Sequence, residues 1–152
     1  MDYVVKAKGI IEQNMYISLA TCGEDGKPWS AVVFFAYDND YNLYFLSAID
    51  SRHAENILKK PDVSGIIFNS TQALGYDDEV QIEGVATLVP KSNVSEVINI
   101  YCKRAFPESK MKPTERYRPE EFSEPSELRF FKIEITGAYT TGPEKKIKLN
   151  LH

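Results

Sequence analysis

Three consecutive polar residues, Ser51, Arg52 and His53, stand where an apolar run gives way to a helical pattern, and their side chains are those of an anion site. The run Leu43–Ser47 reads as a strand, a short bend follows, and the stripe Ala54, Ile57 and Leu58 predicts a helix that Lys59 and Lys60 close and Pro61 stops. Four amide N–H groups at a helix start have no partner inside the helix. They also carry the positive end of its dipole, worth about 0.3–2 kcal/mol toward an anion. A hydroxyl, a guanidinium and an imidazole beside them are the parts of a phosphate cradle. The same residues fit a plainer role, in which Asp50 or Ser51 caps the helix and Arg52 extends into solvent.

Other chemistry is sparse. Cys22 and Cys102 lack the spacing of a metal pair, and two cysteines make no disulfide framework, so both read as packing residues. Asp38-Asn39-Asp40-Tyr41-Asn42 alternates its acids as a calcium loop does, but Leu43 stands at the sixth position and Ile49 at the twelfth, which excludes that reading. No metal set and no acid, base or nucleophile pair stands out.

The elements that must position the cradle follow from periodicity. Val4, Ala7 and Ile11 predict an opening amphipathic helix over residues 2–14, and Met15–Thr21 reads as a strand. Gly23-Glu24-Asp25-Gly26 signals a hairpin. The return strand, Trp29–Tyr37, is apolar on both faces, so its second face needs cover from a partner subunit, a flat ligand or the protein's own helices. Val63–Phe68 and Val80–Val89 are further strands around a polar loop, Asn69–Asp78. Asn93 and Glu96 resemble a capping box that opens a helix with Val94, Val97, Ile98, Tyr101 and Ala105 on one side. Phe106–Pro125 is a long connection, Leu128–Thr140 a strand, and Lys145–Leu149 a last edge strand. Six or seven strands joined mostly by hairpins, with three helices, predict an α+β chain on an antiparallel barrel.

A length of 152 residues predicts one domain, residues 1–152, that buries roughly 68–70% of its unfolded surface. The net charge of −4 argues against a nucleic-acid binder. With no apolar run near the roughly 20 residues of a membrane span and no secretory layout at the N-terminus, the expected location is the cytoplasm, without a membrane partner.

The order of these segments resembles the flavin-binding split barrels related to pyridoxamine phosphate oxidase. The resemblance runs through Ser18-Leu19-Ala20-Thr21, Asp25-Gly26-Lys27-Pro28, Leu43–Ser47, Ser51-Arg52-His53, Asn56-Ile57-Leu58 and Val80-Gln81-Ile82-Glu83-Gly84. It is nearest to the small members with a Ser/Thr-Arg-His segment and a closing Gly-x-x-Lys-Lys stretch, here Gly142–Lys146. It implies a six-stranded antiparallel split β-barrel of Greek-key type with flanking helices, a homodimer, and FMN held between the subunits. By the same resemblance the flavin phosphate maps to Ser51, Arg52 and His53. The ring maps along the return strand at Ser30, Ala31, Val32, Val33 and Phe34, and against Leu46 and Ser47. A family glutamine falls on Gln81, with Glu79 as the alternative register.

Departures narrow the implied activity. The oxidase carries an Arg and a Lys near the positions of Ser30 and Phe35, a lysine where His53 stands, and C-terminal Trp and Arg elements with no counterpart in Lys145–His152. Each lost cation removes roughly 1.5–3 kcal/mol of charge-assisted hydrogen bonding. The expectation is therefore an FMN-dependent oxidoreductase other than the oxidase itself, with a small-molecule substrate or an electron donor such as NAD(P)H. The alternatives are a non-catalytic module for flavin, haem or deazaflavin, and a cofactor-free interaction dimer. Lys145, Lys146 and Lys148 read either as solvated edge charges or as cations reaching a phosphate across the dimer.

Overall fold

The structure, a computed structural model, describes residues 1–76, 78–142 and 146–152. Helix α1 (Tyr3–Gln13) begins where Asp2 Oδ1 accepts from the Val4 and Val5 amides at 3.0 and 3.2 Å, and it buries Ala7, Ile10 and Ile11. Strands β1 (Tyr16–Cys22) and β2 (Pro28–Phe34) then form a hairpin in register from Tyr16 opposite Phe34 to Cys22 opposite Pro28. Gly26 takes φ 79° in its turn, a conformation that favours glycine.

The return strand is broken where continuity was expected. Phe35 is fully buried, and beyond it β3 (Ala36–Tyr37) leaves β1 to pair with β4 (Leu43–Ala48). The sheet order is β2-β1-β5-β6-β7-β4-β3, where β5 is Asp62–Phe68, β6 Glu79–Leu88 and β7 Leu128–Thr141. A short β8 (Lys146–Leu149) pairs with β7, and Lys145 lies outside the described residues. Because β2 and β3 adjoin in sequence yet stand at opposite ends of that order, the antiparallel sheet curls toward itself. This is the α+β, split-barrel type of architecture, but the strand count is a correction: seven strands lie along the sheet and β8 joins at β7, where six were expected. The break at Phe35 and the closing β8 account for the difference.

Two cores hold the sheet. Inside the curl, Ile17, Leu19, Val33, Phe35, Phe45, Ile67, Ile82 and Phe131 pack with α1 and with Ala54 and Ile57 of α2 (Arg52–Lys59). On the opposite side of β4 and β7, Tyr44 and Phe130 pack beneath α3 (Val94–Ala105). The expected capping box does not form: Asn93 makes no side-chain cap, because a 3-10 turn over Lys91–Asn93 leads into α3 instead. The 106–125 connection is likewise more ordered than its composition suggests. It contains α4 (Pro113–Arg116) and a 3-10 turn (Pro119–Phe122), and it lays Tyr117 and Phe122 against the second core. The acids of Asp38–Asn42 make a turn, in which the Asp38 carboxylate accepts from the Asp40 and Asn42 amides, the Asn42 side chain and the Tyr44 hydroxyl.

Candidate functional site

At the start of α2, Ser51 is the N-cap, its hydroxyl accepting from the Ala54 amide at 3.4 Å and donating to the Ala48 carbonyl at 2.7 Å. That leaves the Arg52 and His53 amides, the first two of the helix, without an intrahelical acceptor. The imidazole Nε2 of His53 contacts the Ser47 hydroxyl and lies 3.4 Å from that of Ser51. Burial pushes the His53 pKa below its ordinary value, so the ring is mostly neutral at pH 7 and adds little charge to the site. Arg52 differs. Its guanidinium carbon lies 4.1 Å from the centroid of the Trp29 ring, and it takes part in none of the ion pairs found among the described residues. Of the plainer role, the Ser51 cap is present; Arg52 is exposed, but it rests against Trp29 beside the first two amides of the helix.

The faces of the return strand are divided. Ala31 and Val33 lie opposite Leu19 and Ile17 on the core side, whereas Ser30, Val32 and Phe34 share the outer face with Ala20, Ser18 and Tyr16. α3 covers one end of that face, where the Phe34 and Tyr101 rings meet edge to face at 5.2 Å. The rest is open: Val32 is 68% exposed, Tyr16 60% and Phe68 45%. The registers continue the row from Val32 through Ser18 and Ile66 to Gln81 and Tyr139. Small side chains here leave a groove of about 580 Å³, floored by Ser18, Ala20, Ser30 and Ser64 and walled by Ile66, Gln81, Glu83 and Tyr139. Gly65 lines it too; a Cβ there would stand 2.7 Å from the Ile17 side chain and 3.1 Å from the Ser18 carbonyl oxygen. Glu83 Oε1 accepts from the Tyr139 hydroxyl at 2.8 Å on the same wall.

The fold thus gathers some expected site residues and separates others. Ser51, Arg52, His53 and Ser47 form one cluster. Ser30 and Gln81 line one groove, with Val32 in the same outer row. Ala31 and Val33 face inward, and Leu46 packs beside the second core under α3. Of the two registers for the glutamine, Gln81 lines the groove, while Glu79 is bound to Lys146 and to the Thr141 hydroxyl. Lys146 is thus engaged within the chain. Trp29 is the residue that sequence reasoning passed over. It follows Pro28 and precedes Ser30; paired with Thr21 on the core-side face of β2 it touches Arg52, while the neighbouring Ser30 lines the groove on the outer face.

A curled antiparallel sheet with a helix start beside its β2 edge and an open, small-residue outer face defines a split-barrel protein. The sequence profile of pyridoxamine 5'-phosphate oxidase matches residues 5–142, and the chain belongs to that family. Members of the family usually bind a flavin and commonly form dimers. A UPF0306 protein of Yersinia pestis bv. Antiqua (strain Angola) is 27% identical over 95 residues, 61% of this chain and 64% of the relative, so the match spans less than two thirds of that protein. Among solved structures, General Stress Protein 26 from Bacillus anthracis str. Sterne superposes with a TM-score of 0.67 at 23% identity, covering 98% of this chain and all of that one. A heme binding protein from Mycobacterium smegmatis superposes with a TM-score of 0.76 at 14% identity, covering 99% of this chain and 58% of that one. Among the described residues no helix is long and apolar enough to cross a membrane, and no group of three or more His, Cys, Asp and Glu side chains is placed to hold a metal ion.

Proposed function

We propose that the chain is a homodimeric flavoprotein that binds FMN and serves as an oxidoreductase for a small molecule or for an electron donor such as NAD(P)H. The observation that carries the reading is the Arg52 guanidinium, held against Trp29 beside the Arg52 and His53 amides and in no ion pair found among the described residues. In a chain of net charge −4, a cation placed this way favours an anionic group such as a phosphate. The residues fit the rest of the cofactor as well. The groove floored by Ser18, Ala20, Ser30 and Ser64 has room for a planar ring, and Gln81 offers it an amide. When bound, FMN supplies the hydride or electron chemistry. The protein's own part is to grip the phosphate with Arg52, to hold His53 neutral against Ser47, and to exclude water by pairing the Val32 face with a second copy.

The haem-binding neighbour suggests a second reading. Haem iron takes an axial ligand, most often His, Cys, Met or Tyr. Of those types the groove offers Tyr139 alone among the described residues, and its hydroxyl already donates to Glu83. His53 is turned to Ser47. The flavin reading is therefore preferred. Adding FMN and haem separately to purified protein tests it: saturable binding of FMN with a shifted flavin spectrum is expected, and exclusive binding of haem, or of neither, contradicts the proposal.

A further inference from the structure

We infer that Trp29 is a positioning residue that holds the Arg52 guanidinium ready for a phosphate monoester, and thereby sets the preference of the site for FMN over unphosphorylated riboflavin. The inference rests on the flavin reading above. A long, exposed arginine loses rotamer freedom when it engages a ligand. Stacking 4.1 Å over the indole confines Arg52 before any ligand arrives, yet it leaves the in-plane N–H groups clear, because a guanidinium donates from its edge and not its face. Trp29 is itself held in place. It pairs with Thr21 across the β1–β2 hairpin, and the Thr21 hydroxyl accepts from the Asn56 side chain of α2 at 3.0 Å. Strand, indole and helix start are tied at one point, so the cation has a fixed place at the β2 edge of the sheet, on the face opposite to the Ser30 side chain.

Trp29 is 39% exposed, and a plain covering role at the sheet end would need only apolar bulk. The two roles separate in the ratio of the riboflavin and FMN dissociation constants, measured by flavin fluorescence for wild type, Trp29→Phe and Trp29→Leu, with circular dichroism to verify folding. Leucine keeps bulk without a π face, whereas phenylalanine keeps the face. The ratio is expected to fall about threefold to tenfold in Trp29→Leu, through weaker FMN binding with riboflavin unchanged, and to stay near the wild-type value in Trp29→Phe. A ratio in Trp29→Leu equal to that of wild type overturns the inference and leaves the flavin reading standing. A wild-type protein that binds neither flavin overturns both.

Discussion

The imidazole of His53 meets the hydroxyl of Ser47, joining the last inward-facing residue of β4 to the first turn of α2. The contact sits at a half-buried helix start, and burial of the ring there lowers its pKa and leaves it mostly neutral at pH 7. The fold consequently depends on pH. A histidine whose folded pKa is lowered below its unfolded value, ordinarily near 6.5, binds fewer protons folded than unfolded in the interval between the two. Stability from this group is full above about pH 6.5 and is lost as pH falls toward the folded pKa. Urea midpoints measured across that interval are expected to decline on acidification in the wild type and to flatten in His53→Gln.

The same ring limits phosphate affinity. Replacing it with a permanent cation, His53→Lys, is expected to tighten FMN binding by about one decade through an added charge-assisted hydrogen bond. Losing the Ser47 contact lowers stability at the same time. Fluorescence titration checks the first effect and thermal denaturation the second; unchanged or weaker FMN binding would place the phosphate elsewhere.

How much of this was legible in the sequence differs by region. The apolar period of Leu43–Ser47 and the stop at Pro61 located β4 and α2 closely, since both rest on local pattern. The break at Phe35 was not legible. A run that is apolar on both faces carries no mark of where it changes neighbours, and only the curl of the whole sheet decides that β3 leaves β1 for β4. The Trp29–Arg52 stack was hidden for a similar reason, because the two residues lie on separate elements that meet only in the folded chain.

Arg104 locks α3 to α1. Its guanidinium lies 4.8 Å from both the Phe35 and Tyr37 ring centroids, and it donates to the Ile11, Glu12 and Asn14 carbonyls at the C-terminal end of α1. Arg104→Ala strands those carbonyls and is expected to cost about 2–3 kcal/mol. Chemical denaturation measures it, and a loss below about 0.5 kcal/mol, the range of an ordinary surface change, would show that the clamp contributes little.

The open outer face predicts assembly. Val32→Asp adds a charge to the row of Ser18, Ile66 and Gln81 without touching either core. Sedimentation velocity is expected to show a dimer in the wild type and a shift to monomer in the variant, with FMN affinity falling alongside. A monomeric wild type, or a variant dimer of undiminished stability, would move the interface off this face.

The most direct test is a crystal structure of the protein with FMN. Phosphate oxygens are expected within hydrogen-bond distance of the Arg52 guanidinium and of the Arg52 and His53 amides, with the ring against the Ser30 end of β2. A flavin whose phosphate lies away from Ser51–His53 would contradict the proposal.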